Sequence, residues 1–562
     1  MTDIKFISNM EYTCHKPPLK IKNNILIGEE IPYQDLYNTH LGQIILRILN
    51  SQPNFVAQID AETGKKITYK EIKYKSVRLA MWMIKENVDP GDFIGICTNH
   101  HIGLYIILAC LYIGAIPMIR KYDQCTDYEI SSEITRNNPK MIFVDKMPHH
   151  ESKPTDNDET EDMAPTVMVL NKSQSFFNKI YFACDIFECF IDEYSQTEID
   201  KFICTELDQF KLETAVIMYT RGIEGLIKAV KISHKAFMAP AIINMINMLS
   251  GARGMWVGTH FSFPNLILTI QAICNYIQVI IFEGDDMTKM CRTIEKYKVR
   301  WVRFETGLCQ AFLDSKGFLL HNTSSLRMIM LNGSRMEYFI YTDLVKLFPK
   351  VSIVSLYGTI ETGVIAYQRC SGKPGSNGYI GKNVQLMITN MSKTPLGPNK
   401  PGNIWCKCWG MSKTYYDIKD ANPMQAVDEN GWHDTGDIGY YDKDGDIYVT
   451  DRAVDLIKFR EYYFSPSIVE TIIKEQPAVY EVAVVAVPNI TDGQHPKAFI
   501  TTKTAQKVQE IEKKIEEMLE NKLGDCMKMR GGMTFLNKMP YGPDYKINRK
   551  CLRHKAKLNT LN

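Results

Sequence analysis

Charged side chains of both signs are spaced along residues 433–470, where they could bind an anionic ligand. Asp437, Arg452 and Lys458 flank two alternating apolar runs that are joined by an Asp-Gly pair. An Asp-Gly between such runs predicts a β-hairpin, and Ser465-Pro466 just beyond predicts the start of a helix. The chain before this stretch is long enough for a large domain, and the chain after it for a small one. These charges therefore lie at a predicted domain junction, where ligand sites often occur.

A second candidate for anion binding follows the apolar run Thr214–Thr220, which predicts a buried strand. The next residues include Gly222, Gly225 and Lys228. Backbone N–H groups of a glycine-containing loop and a nearby lysine suit a phosphate group. The loop lacks the adjacent Gly-Lys-Ser/Thr of a Walker A motif. A phosphate cradle and an ordinary hairpin turn both remain open as interpretations.

A third candidate is the segment that contains Tyr357, Gly358 and Glu361. It comes just after Ser352–Leu356, which has the composition of a strand. In parallel sheets, ligands bind at the carboxyl ends of the strands. The sequence therefore predicts an aromatic side chain and a carboxylate at a ligand-binding edge.

The elements that must position these residues follow an alternating order. Thr68 and Glu71 have the spacing of a capping box, which predicts a helix to about Glu86. Strand-like runs alternate with helical segments, which indicates parallel βαβ units. Residues 148–165 are acidic and poor in apolar side chains, so they are predicted to be a surface insertion. The predicted strands include Asp92–Cys97, Met141–Val144, Gln278–Phe282, Arg300–Phe304 and Arg327–Leu331.

The overall composition excludes several classes of protein. With 562 residues the chain exceeds one hydrophobic core, so two or more domains are expected. A net charge of +2 gives no support for a nucleic-acid partner. The apolar run Ile102–Ile119 contains Gly114 and Pro117, which predicts a buried helix and then a strand rather than a membrane span. The 15 cysteines show no zinc spacing and are interpreted as reduced, mostly buried thiols of an intracellular protein.

From about Tyr69 to Arg553 the chain resembles the adenylate-forming (ANL) superfamily of acyl-CoA synthetases, 4-coumarate–CoA ligases and beetle luciferases. Four segments carry the resemblance. They are the phosphate loop at Thr220–Val230, the Tyr-Gly-x-Thr-Glu segment at Tyr357–Glu361, the aspartate loop at Gly431–Asp437 and the C-terminal lysine segment at Met539–Arg549. The resemblance implies an α/β N-terminal domain of layered sheets and helices over residues 1–450. It also implies a small α+β lid domain over residues 451–562.

The family pattern also implies roles for individual residues. Asp437 and Arg452 would bind the ribose, Asp451 would be the hinge, and Lys546 would act in adenylation. Lys458 would act after the small domain rotates, and Glu361 would hold Mg²⁺. His260 aligns with a substrate-side histidine, although a packed core histidine fits equally well, and Phe261 suggests an apolar acyl pocket. The implied nucleotide contacts are Thr220, Gly222, Gly225, Lys228, Gly333, Tyr357, Gly358, Asp437 and Arg452.

The resemblance implies an enzyme that uses ATP and Mg²⁺ to convert a fatty or aryl acid to an acyl-adenylate, then to a coenzyme A thioester. A second hypothesis is a relative that binds nucleotide or acyl ligand without turnover. It is motivated by departures from the family pattern at Ile223, Glu224, Ile360 and Tyr545. Glu461 departs in the thiolation loop, and Phe261 stands where luciferases have a second histidine, which argues against light emission. The C-terminus is not a Ser-Lys-Leu type signal, so cytoplasm and peroxisome both remain possible.

Overall fold

The structure is a computed structural model, and the part of it that can be described covers most of the chain. The predicted insertion at 148–165 and residues Gly222, Gly225, His260 and Tyr545 lie outside the described residues. The described ranges are 19–32, 40–98, 101–120, 139–144, 179–182, 194–209, 211–221, 227–246, 249, 251–258, 261–333, 336, 338–370, 372–416, 424–503, 508–542 and 546–558.

Strands and helices alternate along much of the described chain. The strands are β1 (Lys20–Lys22), β2 (Ile25–Ile27), β3 (Val56–Asp60), β4 (Lys66–Thr68), β5 (Phe93–Cys97), β6 (Ile116–Ile119), β7 (Met141–Val144), β8 (Lys179–Phe182), β9 (Val216–Arg221), β10 (Ile227–Ile232), β11 (Gly254–Trp256), β12 (Val279–Ile281), β13 (Trp301–Glu305), β14 (Met328–Asn332), β15 (Ser352–Thr359), β16 (Gly363–Tyr367), β17 (Tyr379–Ile380), β18 (Val384–Thr389), β19 (Gly402–Cys408), β20 (Tyr415–Tyr416), β21 (His433–Tyr441), β22 (Ile447–Arg452), β23 (Ile457–Phe459), β24 (Tyr462–Phe464), β25 (Val479–Asn489), β26 (Gly493–Thr502) and β27 (Met533–Phe535).

The helices connect these strands and cover the sheets. The α-helices are α1 (Leu41–Ser51), α2 (Tyr69–Lys85), α3 (Gly103–Ile113), α4 (Gln196–Lys201), α5 (Pro240–Ile246), α6 (Phe263–Cys274), α7 (Met287–Tyr297), α8 (Cys309–Ser315), α9 (Gly317–Leu320), α10 (Tyr338–Leu347), α11 (Pro466–Lys474), α12 (Val508–Lys522) and α13 (Arg549–Leu558). Short 3₁₀ turns occur at Lys211–Glu213, His234–Met238, Thr306–Leu308, Ala453–Asp455 and Asp525–Met527.

Among the described residues the strands form four sheets. A nine-stranded sheet has the order β17-β16-β15-β14-β13-β11-β12-β3-β4, and a seven-stranded sheet has the order β20-β10-β9-β6-β5-β7-β8. A six-stranded sheet, β1-β2-β18-β19-β21-β22, completes the N-terminal region. In the C-terminal domain β24-β23-β26-β25 form one sheet, with β27 paired to β26. The predicted fold class, a large layered α/β domain followed by a small α+β domain, is confirmed.

The main core lies between the nine-stranded and seven-stranded sheets. Side chains of α1, α2, α3 and α6 are buried there together with strands of both sheets. Every residue of α3 is buried, which is why its sequence is apolar on all faces. Gly114 ends α3 in the left-handed conformation, and β6 begins two residues later. No helix in the described part of the chain is both long enough and apolar enough to cross a membrane.

Several local predictions are confirmed. Thr68 caps α2 through the predicted reciprocal bonds with Glu71, and the helix ends at Lys85. Strands β13, β14 and β15 are parallel neighbours, as the alternating pattern predicted. One interpretation was wrong: Cys370 is disulfide-bonded rather than reduced. The other cysteines of the described residues are free thiols.

Two boundaries differ from the sequence-based expectation. Strand β15 extends to Thr359, so Tyr357 and Gly358 lie inside a strand rather than beyond its end. The strand continues because it turns from parallel pairing with β14 to antiparallel pairing with β16. Strand β22 ends at Arg452. The predicted domain boundary at 450/451 therefore falls inside a strand, and it stays a prediction.

Candidate active site

Asp437 is held in a buried position by an irregularity in β21. Between the pairs Asp434–Trp405 and Ile438–Asn403, β21 has more residues than β19, so the strand bulges. Bulges redirect side chains, often near active sites. The bulge is fixed by hydrogen bonds from Thr435 Oγ1 to the carbonyl of Ile404 (2.9 Å) and from the backbone N–H of Asp437 to Thr435 Oγ1 (3.2 Å). Most of the aspartate loop that the family resemblance implied at Gly431–Asp437 is thus part of strand β21.

Two neighbours hold the carboxylate of Asp437. Tyr357 Oη donates a hydrogen bond of 2.9 Å to Asp437 Oδ2, and Arg452 Nε lies 3.2 Å from Oδ1. Arg452 is placed opposite Asp437 by the pairing of β21 with β22. Burial raises the pKa of Asp437, while Arg452, Tyr357 and Lys546 oppose that rise. A buried carboxylate held this way presents a fixed acceptor for hydroxyl donors.

Glu361 lies in the turn between β15 and β16. Its backbone carbonyl accepts a hydrogen bond from the N–H of Ser412 (2.8 Å), and Tyr415 Oη donates to its Oε1 (3.1 Å). Gly358 is needed beside this turn, because a Cβ there would lie 2.0 Å from the carbonyl oxygen of Gly363. The fixed carboxylate at this strand end is suited to a hard cation.

Mg²⁺ would require further oxygen ligands besides Glu361. Among the described residues there is no cluster of three or more metal-binding side chains. A single fixed carboxylate fits an ion that takes its other ligands from phosphate oxygens and water, as Mg²⁺ commonly does. The residues present therefore fit Mg²⁺ bound together with a nucleotide.

Lys228 and Thr220 lie opposite each other in the antiparallel pair of β9 and β10. Lys228 Nζ lies 4.7 Å from the centre of the Tyr415 ring, and the hydroxyl of that ring contacts Glu361. The strand pair is compatible with both interpretations of the intervening loop, since a cradle and a hairpin turn can each connect antiparallel strands.

Lys546 reaches the same region from the C-terminal domain. The turn that carries it is closed by a 2.7 Å hydrogen bond from the N–H of Gly542 to the carbonyl of Lys546. The first residue of α13, Arg549, anchors this turn through Glu470 (2.7 Å) and the carbonyl of Val484 (2.7 Å). A Cβ placed on Gly333 would lie 3.8 Å from Lys546 Cε. Lys546 therefore packs against the end of β14.

Lys458 is not part of this cluster. It is exposed on the hairpin of β23 and β24, where its Nζ lies 5.6 Å from the centre of the Tyr463 ring. Arg460 at the tip of the hairpin has a positive φ of 54°, and its Nε lies 2.7 Å from Asp492 Oδ1. The structure thus brings Lys546, but not Lys458, close to Gly333 and into electrostatic interaction with Asp437.

Asp451 connects the two domains. Its Oδ2 accepts a hydrogen bond of 2.9 Å from Ser467 Oγ and another from Ser465 Oγ. Ser465 is the N-cap of α11, as the sequence predicted. The C-terminal domain is therefore joined directly to the end of β22, next to Arg452.

A narrow cleft lies beside Glu361. Its apolar lining residues are Ile232, Ala236, Phe237, Phe263, Ile267, Ile360, Trp409 and Met411. Ile360, a departure from the family pattern, thus adds apolar surface to the wall. Phe261 is buried in the main core, where a Cβ on Gly103 would meet its ring at 2.4 Å, and it is not among the lining residues. Its predicted pocket role stays a prediction.

The sequence-based prediction missed Tyr415, Thr435 and Glu305. Thr435 was within a segment that was singled out, but its hydrogen bonds depend on the bulge. Glu305 ends β13 beside Gly333. Its signal was available in the sequence, because an acid directly follows a predicted strand that also contains Arg303.

Comparisons with known proteins assign the family. The family model "AMP-binding enzyme" matches residues 47–416, and the model "AMP-binding enzyme C-terminal domain" matches residues 468–541. The chain therefore belongs to the AMP-binding enzyme family, and the predicted resemblance is confirmed.

Individual relatives are distant but cover nearly the whole chain. It is 25% identical to luciferin 4-monooxygenase of Photuris pensylvanica over 95% of this chain and 99% of that one. It is also 25% identical to a probable CoA ligase of Humulus lupulus over 94% and 95%. An anthranilate CoA ligase in complex with anthranoyl-AMP has the same fold, with a TM-score of 0.75, 19% identity and coverage of 95% and 99%.

Proposed function

We propose that the protein is an AMP-forming acid–thiol ligase, which activates a carboxylic acid with ATP and transfers the acyl group to coenzyme A. One observation carries the proposal. Lys546 of the C-terminal domain lies against Gly333 at the carboxyl end of β14 and acts electrostatically on Asp437, whose carboxylate contacts Tyr357 and Arg452. Family membership and the ligase among the relatives support the same activity.

In the first step the substrate carboxylate attacks the α-phosphorus of ATP, and the bond to pyrophosphate breaks. Asp437 would accept hydrogen bonds from the two ribose hydroxyls, with Arg452 beside it. Lys228 and Thr220 would contact the phosphates, and Lys546 would offset the negative charge that builds up on the phosphoryl oxygens. When bound at Glu361, Mg²⁺ supplies Lewis-acid stabilisation of the phosphate charge.

In the second step the thiol of coenzyme A attacks the acyl carbonyl, and AMP leaves. The exposed position of Lys458 fits a role only after the C-terminal domain has rotated about Asp451. Such rotations commonly separate two half-reactions.

The cleft beside Glu361 supports an apolar substrate. Phe263, Ile267 and Ile360 offer aliphatic and aromatic surface within reach of the carboxylate. The space between these side chains holds little more than a water molecule, so a fatty or aryl acid would bury its apolar part there only once they move apart.

The test is pyrophosphate release from ATP and Mg²⁺ across a panel of fatty and aryl acids, followed by thioester detection after addition of coenzyme A. We expect acid-dependent release that Lys546→Ala slows about 10²–10³-fold. Lys538→Ala is the matched control, because Lys538 is an exposed lysine of the same domain.

No pyrophosphate from any acid would contradict the proposal. Thermal stabilisation by ATP without product would instead favour the hypothesis of a non-catalytic nucleotide-binding protein. Pyrophosphate release without thioester formation would limit the proposal to its first step.

A further inference from the structure

A buried charged cluster lies at the carboxyl ends of the parallel strands β13 and β14. Its centre is Arg303, which is 1% exposed. Arg303 Nε donates a 2.7 Å hydrogen bond to Asn332 Oδ1, and Nη1 donates a 2.9 Å hydrogen bond to Asn265 Oδ1. Nη2 donates to Glu305 Oε1. A buried guanidinium is tolerated only with such partners, so the cluster is a fixed unit.

Glu305 uses only one of its carboxylate oxygens within this cluster. Its Oε1 pairs with Arg303, whereas its Oε2 has no hydrogen-bond or ion-pair partner within the described part of the chain. The side chain is 19% exposed, so most of its surface is shielded from solvent. A carboxylate can accept hydrogen bonds at both oxygens, and a shielded acceptor without a partner costs free energy. Oε2 is therefore an acceptor that a ligand can use.

Glycine at position 333 brings Oε2 to the edge of the sheet. A Cβ placed on Gly333 would lie 1.9 Å from Glu305 Oε2, so any other residue there would displace the carboxylate. Gly333 also has a φ of 105°, a conformation that favours glycine. It directly follows β14, and ligands bind at the carboxyl ends of parallel strands. Oε2 thus lies where a ligand is expected.

The cluster adjoins both parts of the proposed active site. The same Cβ on Gly333 would lie 3.8 Å from Lys546 Cε, so Glu305 lies near the lysine that is assigned to the first step. The cluster is also joined to α6, because Asn265 belongs to the first turn of that helix. Phe263 of the same turn lines the cleft. Glu305 is therefore close to the reacting groups and to the wall proposed for the acyl part.

The chemistry of Oε2 decides which ligand groups it can contact. A carboxylate repels phosphate oxygens and accepts hydrogen bonds from N–H and O–H donors. The proposed function already assigns the ribose hydroxyls to Asp437. Donors remain on the adenine ring and on a substituted acid. The nearness of Lys546 favours the acid, because this lysine is proposed to act where the acid joins the α-phosphate.

We propose that Glu305 is a specificity-determining residue that accepts a hydrogen bond from an amino or hydroxyl group of the carboxylic acid. The inference rests on the proposed function and narrows it from apolar acids in general to acids that carry such a donor. A site built to hydrogen-bond a polar group rejects analogues without it, because its own acceptor is then left unpaired. Arg303, Asn265 and Asn332 act indirectly by fixing Glu305.

The main variant is Glu305→Gln, which keeps the shape of the side chain. Its amide oxygen can still accept from Arg303, and its NH2 group then takes the place of Oε2. The acceptor that faces the ligand is thereby replaced by a donor. Glu305→Asp is the second variant, which keeps the charge beside Arg303 but is one methylene shorter. The matched control is Glu295→Gln, the same change in a solvent-accessible glutamate that contacts His321 (3.1 Å).

The first experiment compares matched acids by pyrophosphate release. Benzoic and octanoic acids are each tested beside derivatives that carry an amino, hydroxyl or methoxy group at successive positions. For the wild type we expect the best amino derivative to exceed its parent acid about tenfold in kcat/KM, whereas methoxy derivatives, which cannot donate, show no gain. Glu305→Gln should reduce the preference for the amino group to less than about twofold and leave the parent acid unchanged within about twofold. Glu305→Asp should weaken the same preference, and the control variant should retain it.

The second experiment does not depend on turnover. Acyl-sulfamoyl adenosines, which mimic the acyl-adenylate and are not hydrolysed, are prepared with the same parent and amino-substituted acyl groups. Calorimetry should show about tenfold tighter binding of the amino-substituted mimic to the wild type and about equal binding of both mimics to Glu305→Gln. These measurements remain informative if the wild type activates no acid, so failure of the two proposals can be told apart.

The absence of a preference for amino or hydroxyl derivatives in the wild type would overturn the proposal. So would a preference that both Glu305 variants retain. Equal losses for the parent acid and its amino derivative would indicate a merely structural role of Glu305. A loss of ATP affinity in Glu305→Gln without any acid present would place Oε2 against the nucleotide and would also overturn the proposal.

Discussion

Lys546 and Lys458 both belong to the C-terminal domain, yet their surroundings differ completely. Lys546 is half-buried, packs against Gly333 and acts electrostatically on Asp437. Lys458 is exposed and contacts a tyrosine of its own hairpin. One rigid domain cannot bring both lysines to the same nucleotide. On the proposed function, this arrangement of the domains would suit the first half-reaction, and the second would require movement.

Replacement of Lys546 should have the largest effect and should be confined to one half-reaction. We expect Lys546→Ala to slow acid-dependent pyrophosphate release about 10²–10³-fold, because a positioned charge at the transition state is lost. Thioester formation from a supplied acyl-adenylate should be retained. Comparable losses of rate in both steps would show that Lys546 does not act in the first half-reaction alone.

Replacement of Asp437 tests whether this carboxylate binds the nucleotide in both half-reactions. Asp437→Asn keeps the shape but loses the charge, and each hydrogen bond to a charged group contributes about 1.5–3 kcal/mol. We expect ATP and AMP affinity to fall about 100-fold when measured by calorimetry. Asp434→Asn is not a suitable control, since Asp434 contacts the same bulge. Asp428→Asn, in the loop before β21, is the better one. An unchanged affinity would remove Asp437 from the site.

The same carboxylate predicts a pH dependence. Because burial raises the pKa of Asp437, the folded state binds this proton more readily than the unfolded chain does. Its contribution to the free energy of unfolding is therefore fully present below the unfolded pKa, and it is lost as the pH rises through the folded pKa. Nucleotide affinity should change in the opposite sense and weaken as the pH falls through that value.

The measurement is a difference between wild type and Asp437→Asn. Thermal midpoints and ATP affinity are recorded for both proteins from about pH 4 to pH 8. The difference in thermal midpoint between the two proteins should become smaller towards acidic pH. The difference in their ATP affinity should become smaller over the same range. A difference that does not vary with pH would show that Asp437 does not titrate in this range.

Lys458→Ala should slow the second half-reaction and not the first, and its effect should be smaller than that of Lys546→Ala. We expect thioester formation to slow about tenfold, equivalent to about 1.4 kcal/mol, while pyrophosphate release is unchanged. Lys443→Ala, in the tight turn between β21 and β22, is the control. If Lys458→Ala slows pyrophosphate release instead, the two lysines do not act in different half-reactions.

The sequence predicted the fold because its signals are local and repeated. Capping at Thr68, the apolar α3 and the alternating strands each specify an element without tertiary information. Asp437, Arg452 and Lys546 were predicted from family segments. Their distances could not be predicted, since they depend on a bulge in β21 and on how the two domains meet.

The residues that were missed have a common physical origin. Tyr415 contacts Glu361 across 54 positions of the chain, and Glu305 lies beside Gly333 in a different segment. Such contacts leave no periodic signal, because each partner looks ordinary in its own segment. Arg303 is an exception to this rule. A charged residue in an apolar strand requires a partner, so the sequence itself indicated a contact there.

The smallest expected effect concerns a hydrogen bond between the two domains. Tyr480 Oη, in β25, donates a 2.5 Å hydrogen bond to Asp314 Oδ2 in α8, and Gln310 donates to the other oxygen at 2.9 Å. Tyr480→Phe removes only the hydroxyl, which at an exposed site contributes about 0.5–1.5 kcal/mol. Since the contact stabilises the orientation that places Lys546, its loss should slow pyrophosphate release about threefold.

The same variant should leave thioester formation from supplied adenylate unchanged or slightly faster, because the domain leaves its first position more readily. Tyr462→Phe, an exposed tyrosine on the hairpin that carries Lys458, is the matched control for the first step. Asp314→Ala combined with Tyr480→Phe should be no slower than either alone, because both changes break one contact. Additive losses would mean that the two residues act separately and that this contact does not set the position of Lys546.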